Sequence, residues 1–361
     1  MRGIIVHSLT AKGLPFEDAV TAANSVRDQL KNHQIITRVE LARLVDEEVV
    51  KTPIFELPER PQGITVGSGA PFSKGFLSQS LLAAAIEPND AYEVAREIES
   101  ELASRSITHI ERRELRKLAF HALSGRLGER AAERYLTWRY FQEEPERPVI
   151  LLLGGTTGAG KTSLAAEVAH RLGIGRVIST DSIRHVMRLM LSRELVPAIH
   201  SSSYDAYQSL PEIIGEDPVV HGFRAQAETV AVGVRAMIDR AIEENENLIV
   251  DGVALMPGVL DLSAYRQRAE VQFLMVATLD SDAFRQRFAS RAERAADRAP
   301  HRYLENLDSI LRIQDHLLEV SEAHHVPIVE NKSFDRSVLS IIRSVMEGLR
   351  EGNSEDVASL L

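Results

Sequence analysis

The sequence contains no cysteine. Disulfides, thiolate nucleophiles and cysteine-ligated metals are therefore excluded. Basic residues are in deficit: 42 Lys and Arg stand against 52 Asp and Glu, a formal net charge of -10. A general affinity for nucleic acid is not expected of such a chain. Long apolar runs are also missing. Met1 to Val20 lacks the apolar core of a signal peptide, since Ile4 to Val6 is only a short run. No stretch approaches the roughly 20 residues that span a bilayer. These absences set the expectation of a cytoplasmic protein with no membrane partner, and they leave its oligomeric state open, self-association included.

What is present is enough for real cores. The chain has 361 residues, 44% of them apolar and 26% charged, which excludes wholesale disorder and suits two or three domains. Any anionic substrate has to be held by a local cluster of Arg and Lys.

The polar run Gln142 to Pro148 reads as a linker. Beyond it, apolar runs alternate with amphipathic stretches, the pattern of a parallel α/β sheet. The expected strands are Val149 to Leu153, Arg176 to Ser179, Leu248 to Asp251, Val271 to Ala277 and Val326 to Val329. The part before the linker reads as mostly helical and weakly repeated: Ser8-Leu9 recurs as Ser80-Leu81, and Asp18-Ala19 as Asp90-Ala91. Asn89 is expected to cap a helix whose stripe is Tyr92, Ala95, Ile98, Glu99 and Leu102. Tyr135, Trp138, Tyr140 and Phe141 are expected to dock the last helix on a neighbouring domain rather than to stack on a base.

The chemistry is carried by Gly155-Thr156-Thr157-Gly158-Ala159-Gly160-Lys161-Thr162, which fits the phosphate-binding pattern G-x-x-x-x-G-K-[ST] between a buried strand and a helix. Glycines let the backbone wrap a phosphate with its N–H groups turned inward. The new helix adds its positive dipole end. Lys161 reaches the β- and γ-phosphates of ATP, and Thr162 supplies a hydroxyl to Mg²⁺. Asp251, ending the strand Leu248 to Asp251, is a second candidate for the metal shell, with a turn-capping role as the alternative. Asp181 follows the second strand and can orient and deprotonate an acceptor hydroxyl, or simply cap a helix. Arg184 lies one helical turn on and can clamp a substrate anion. Arg287, Arg291, Arg294 and Arg298 recur at helical spacing, with Arg285 and Arg302 flanking them. This arginine face can neutralise a moving phosphoryl group or be a solvated helix face. His200, Ser202 and Tyr204 lie in a long connection; by residue type alone it reads as a polar surface loop.

Gly154 to Thr162, Val177 to Arg184, His200 to Tyr204, Asp251-Gly252-Val253 with Pro257-Gly258, and Arg302 to Asn306 together resemble the archaeal-type 2-phosphoglycerate kinases. The resemblance runs from about Ile64 to Asn331. It implies a nucleoside-kinase type of five-stranded parallel sheet with the P-loop, preceded by a mostly helical ATP-cone domain that includes Pro71 to Gly75. It also implies transfer of the γ-phosphate of ATP to the 3-hydroxyl of 2-phosphoglycerate, and places His200, Ser202 and Tyr204 at the acceptor. The expected division is 1–57 as a degenerate cone-like repeat, 64–141 as the regulatory cone and 148–350 as the kinase domain. One departure bears on the acceptor: Asp251 and Ala254 stand where the family pattern has Glu and His. A different phosphorylated polyol, such as an inositol phosphate, and a nucleotide-gated regulatory NTPase are the alternative functions.

Overall fold

The computed structural model describes residues 64–143, 147–280, 284–286 and 301–351, with isolated positions 25, 26, 29, 44 and 282. The proposed repeat at 1–57, and Arg287, Arg291, Arg294 and Arg298, lie outside the described residues apart from those isolated positions. The chain divides into two compact units, Met1–Ile64 and Thr65–Leu361.

The second unit begins with a small three-stranded sheet and four helices. Strand β1 (Thr65–Val66) pairs antiparallel with β2 (Ala70–Pro71) and parallel with β3 (His109–Ile110). Helix α1 (Lys74–Leu82) is capped by Ser73, whose hydroxyl accepts from the Phe76 amide. Helix α2 (Pro88–Ser104) starts one residue earlier than expected, because Pro88 is preorganised for the first helical position. Asn89 therefore sits inside the first turn and caps nothing. Ala91, Val94, Ala95, Ile98 and Leu102 form the buried stripe of α2. Tyr92 and Glu99 fall outside it. Both meet Lys74, which pairs with Glu99 at 3.2 Å and lies 5.7 Å from the Tyr92 ring centroid.

Helix α3 (Arg112–Leu127) leads to α4 (Glu129–Glu143). Tyr135, Leu136, Trp138, Tyr140 and Phe141 of α4 are all buried. Such a helix, apolar around most of its circumference, must be covered on several sides. It packs on α3 and on the last helix of the chain, α10 (Phe334–Glu351), to which an Arg350–Glu133 ion pair also ties it. The aromatics therefore serve packing.

The larger sheet has five parallel strands in the order β5-β6-β4-β7-β8. They are β4 (Val149–Gly154), β5 (Arg176–Ser179), β6 (Leu248–Gly252), β7 (Glu270–Ala277) and β8 (Ile328–Glu330). Central β4 and its neighbour β6 are buried at every position, as a parallel sheet covered on both faces requires. Helices α5 (Lys161–Leu172), α6 (Thr180–Met190), α7 (Pro218–Glu243), α8 (His301–Glu305) and α9 (Leu307–Ala323) complete the domain with α10. One core joins β4, β6 and β7 to α7 and α9 through Ile150, Leu152, Phe223, Val230, Val250, Phe273 and Ile313. Strand order reverses beside β4, so the loops after β4, β5 and β6 converge at the carboxyl edge of the sheet, where such sheets bind ligands.

Candidate active site

The loop after β4 is shaped by a close approach to β7. At Gly155, φ is +139°, and an added Cβ would lie 2.2 Å from the Val276 carbonyl oxygen. Only glycine fits there. The loop is pinned from two sides. The Thr156 hydroxyl donates to the Ile310 carbonyl at 3.3 Å, and the Asn331 side-chain amide donates to the Ala159 carbonyl at 2.8 Å. Lys161 Nζ donates to the Thr156 carbonyl at 2.8 Å, which holds the ammonium over the cradle.

Thr162, in the first turn of α5, donates its hydroxyl to Asp251 Oδ2 at 2.7 Å. Asp251 is the penultimate residue of β6 and is buried. Burial pushes its carboxyl above the usual range, while the Thr162 hydrogen bond and the Lys161 charge oppose that shift. A hydroxyl and a carboxylate side by side next to a phosphate cradle fit Mg²⁺. That ion is held by one or two protein oxygens plus phosphate and water, not by an all-protein cage. Accordingly, no group of three or more His, Asp or Glu side chains is placed to hold a metal among the described residues.

Strand β5 leads into the residues expected at the acceptor. Ser179 caps α6, its hydroxyl accepting from the Ser182 amide at 3.1 Å. Asp181 is thereby released from capping, and its side chain is 74% exposed. Gly252, after Asp251, lets β6 pass α6: a Cβ there would lie 1.8 Å from Thr180 Oγ1.

Lys161, Thr162, Asp181, Arg184, Ser202, Tyr204 and Asp251 all line one cavity of about 770 Å³. Its size is that of a small-molecule site. Thr157 lines it as well. Sequence reasoning missed several of its walls: Ser179, Ser182, His185, Val186, Ser203, Val253 and Tyr303. Ser182, His185 and Val186 follow from the helical face that already carries Asp181 and Arg184; Tyr303 lies in the Arg302 to Asn306 motif, which was given no role in the site. The motifs at His200–Tyr204 and Arg302–Asn306 meet at the cavity rim. The Tyr204 and Tyr303 rings make an edge contact at 6.2 Å, and Arg302 lies 3.8 Å from the Asp205 carboxylate. Burial raises the Tyr204 phenol above its usual pKa, which keeps it a hydrogen-bond donor.

Of the residues expected at the acceptor, His200 is placed differently from Asp181, Arg184, Ser202 and Tyr204. His200 is not among the cavity's lining residues; its Nε2 lies 3.0 Å from the Leu191 carbonyl. Ala254, where the family pattern has His, is buried and is not among the cavity's lining residues.

A P-loop on a parallel sheet with order β5-β6-β4-β7-β8, opening on a cavity of small-molecule size, defines an ATP-dependent phosphotransferase. The ATP cone domain model matches residues 66–144, and the zeta toxin family model matches residues 132–334. A 2-phosphoglycerate kinase of Methanopyrus kandleri is 38% identical over 286 residues, covering 79% of this chain and 86% of the relative. That of Pyrococcus horikoshii is 36% identical, covering 77% and 90%, and that of Methanococcus maripaludis strain C5 is 36% identical, covering 80% and 92%. The chain belongs to the 2-phosphoglycerate kinase family, as its motifs led one to expect. It is a kinase that uses ATP on a small-molecule acceptor. None of its helices, among the described residues, is long and apolar enough to cross a membrane.

Proposed function

We propose that this protein transfers the γ-phosphoryl group of ATP to the 3-hydroxyl of 2-phosphoglycerate, giving 2,3-bisphosphoglycerate and ADP. The observation that carries this reading is that Lys161, Thr162 and Asp251 line the same cavity as Asp181, Ser202 and Tyr204. The printed names of the relatives supply the acceptor.

In this reading the P-loop amides and Lys161 hold the β- and γ-phosphates. Thr162 and Asp251 would hold Mg²⁺, which neutralises phosphate charge when bound. Asp181 orients the acceptor hydroxyl and takes its proton as the oxygen attacks phosphorus and the bond to ADP breaks. Ser202 and Tyr204 hydrogen-bond the acceptor, with His200 supporting their loop, and Arg184 serves the same side. Arg291, Arg294 and Arg298 are assigned, on sequence alone, to the charge on the moving group. A substrate bearing carboxylate and phosphate accounts for local cations in a chain of net charge -10. We further assign 64–141 to regulation, 148–350 to transfer and 1–57 to a degenerate copy of the cone. The protein is placed in the cytoplasm, acting apart from nucleic acid, with self-association to be read from its mass in solution.

The test is ADP release with ATP, Mg²⁺ and a panel of acceptors: 2-phosphoglycerate, other phosphorylated hydroxy acids and inositol phosphates. Release dependent on 2-phosphoglycerate supports the reading. Equal release without any acceptor favours a regulatory NTPase, and release with an inositol phosphate alone replaces the acceptor.

A further inference from the structure

The guanidinium of Arg184 faces the chamber, yet its donors already have partners. Nε and Nη2 donate to Asp181 Oδ1 at 3.4 and 3.1 Å. Nη1 donates to the carbonyls of Ile199 and Ser201 at 3.1 and 2.9 Å. An arginine has five N–H donors, so these four bonds leave little of the planar fork for a substrate anion.

The same turn is held from its other side. Gln226, buried on α7, donates through Nε2 to the Ala198 carbonyl at 2.6 Å and to the Ser201 carbonyl at 3.0 Å. The Ser201 oxygen thus accepts from two side chains on two helices, which uses both its lone pairs. His200 adds a third anchor at Leu191. Just beyond these anchors come Ser202, Ser203 and Tyr204, which line the cavity. Loops seldom fix a constellation well unless surrounding side chains lock them.

We infer that Arg184 and Gln226 are a pair of positioning residues: together they hold the 197–204 turn, and Arg184 also sets Asp181 against it. Arg184 links the group that orients the hydroxyl to the loop that receives the rest of the acceptor. The acceptor's anionic groups then meet the serine and tyrosine hydroxyls and His185 rather than the Arg184 fork. This inference rests on the acceptor-side reading of the chamber.

Arg184→Lys and Gln226→Met test it in the full-length protein, by two readouts. The first is amide hydrogen exchange across residues 197–204 without substrates. The second is steady-state kinetics with 2-phosphoglycerate and ATP varied independently. Loss of one or two such bonds should speed exchange in the turn and raise the KM for acceptor, each by roughly tenfold, with the KM for ATP within about twofold of wild type. Gln226→Met should reproduce the Arg184→Lys phenotype although Gln226 is not among the cavity's lining residues. If Arg184→Lys raises the acceptor KM while exchange in the turn is unchanged, Arg184 contacts the anion directly and the inference is overturned. Unchanged exchange in both variants overturns it as well. If wild type shows no turnover with 2-phosphoglycerate, the proposed acceptor fails, and the exchange data alone decide the positioning role. Should Gln226→Met not fold, Gln226→Glu, which keeps the shape but loses the donor, takes its place.

Discussion

The Thr162 hydroxyl and the Asp251 carboxylate meet at 2.7 Å, joining the first turn of the P-loop helix to the end of β6. Thr162 directly follows the loop after β4 and Asp251 lies on the neighbouring strand, and each places an oxygen beside the phosphate cradle. Asp251→Asn keeps the shape and the hydrogen-bonding but removes the charge. Residues that support a metal in this way typically cost about 10- to 100-fold in metal affinity or activity when changed. The expected outcome is a Mg²⁺ requirement shifted to higher concentration by that factor, seen in a metal titration of ADP release. An unshifted titration curve would remove Asp251 from the metal shell.

Asp181 makes a different prediction. Its carboxylate is exposed to the chamber and is held by Arg184, while Ser179 caps the helix. Asp181→Asn should lower kcat by about 10²- to 10⁴-fold, the usual range for a positioned proton acceptor. The KM for acceptor and for ATP should move little. A fall in affinity with kcat preserved would make Asp181 a binding group instead.

How far the sequence alone reveals this architecture depends on the range of the interactions. The strands at Val149, Leu248 and Val271 were legible because a parallel strand buried on both faces is a continuous apolar run. The last strand was displaced, from Val326–Val329 to Ile328–Glu330: the preceding Val326 and Pro327 are apolar as well, but Pro327 has no N–H to give a ladder. The P-loop was legible from spacing and context, and so was Asp251, which meets it through Thr162. The acceptor side was only partly so. The hydrogen bonds of Arg184 to Ile199 and Ser201 were not legible, because they depend on a turn whose path no local pattern encodes. Tyr303 reaches the same cavity from nearly 100 positions beyond Tyr204. His200, read by residue type as part of a polar surface loop and placed at the acceptor only by resemblance, has its Nε2 3.0 Å from the Leu191 carbonyl.

His316 carries a pH prediction away from the site. It lies edge-on to Phe223 at 6.4 Å, and its Nε2 is buried without a hydrogen-bond partner among the described residues. Burial lowers its pKa, the Arg224 charge lowers it further, and Glu319 and Asp217 oppose the shift. The folded state therefore resists a proton that the unfolded chain accepts near pH 6.5. Stability from this group is present above that pH and is lost as pH falls toward the folded pKa. His316→Leu should flatten the fall in Tm between pH 7.5 and 5.5. An identical pH slope in the variant would exclude His316 as a source of acid lability.

Asn331 offers the last test, at a contact bridging 172 positions of sequence. Its side-chain amide donates to the Ala159 carbonyl at 2.8 Å, its Oδ1 accepts from the Ser337 hydroxyl at 3.1 Å, and its backbone amide donates to the Ala277 carbonyl at 2.7 Å. One buried residue thus ties the phosphate loop to the end of β7 and to α10, the helix against which α4 of the cone region packs. The Ala159 carbonyl must point away from the nucleotide if the loop's amides are to point toward it. Asn331→Ala removes that hold and leaves buried groups short of a partner, which costs about 1–3 kcal/mol. The expected variant has a lower denaturant midpoint and a KM for ATP raised by roughly tenfold or more. Its KM for acceptor should stay near wild type, because the turn at 197–204 is anchored by Arg184 and Gln226 and not through Asn331. Asn331→Asp should be worse than Ala, since it sets a carboxylate oxygen against the Ala159 carbonyl. Paired measurements of unfolding and of both KM values decide the matter. A destabilised variant with an unchanged KM for ATP would make Asn331 a packing residue alone, and the phosphate loop would then owe its shape to Thr156 and the close approach at Gly155.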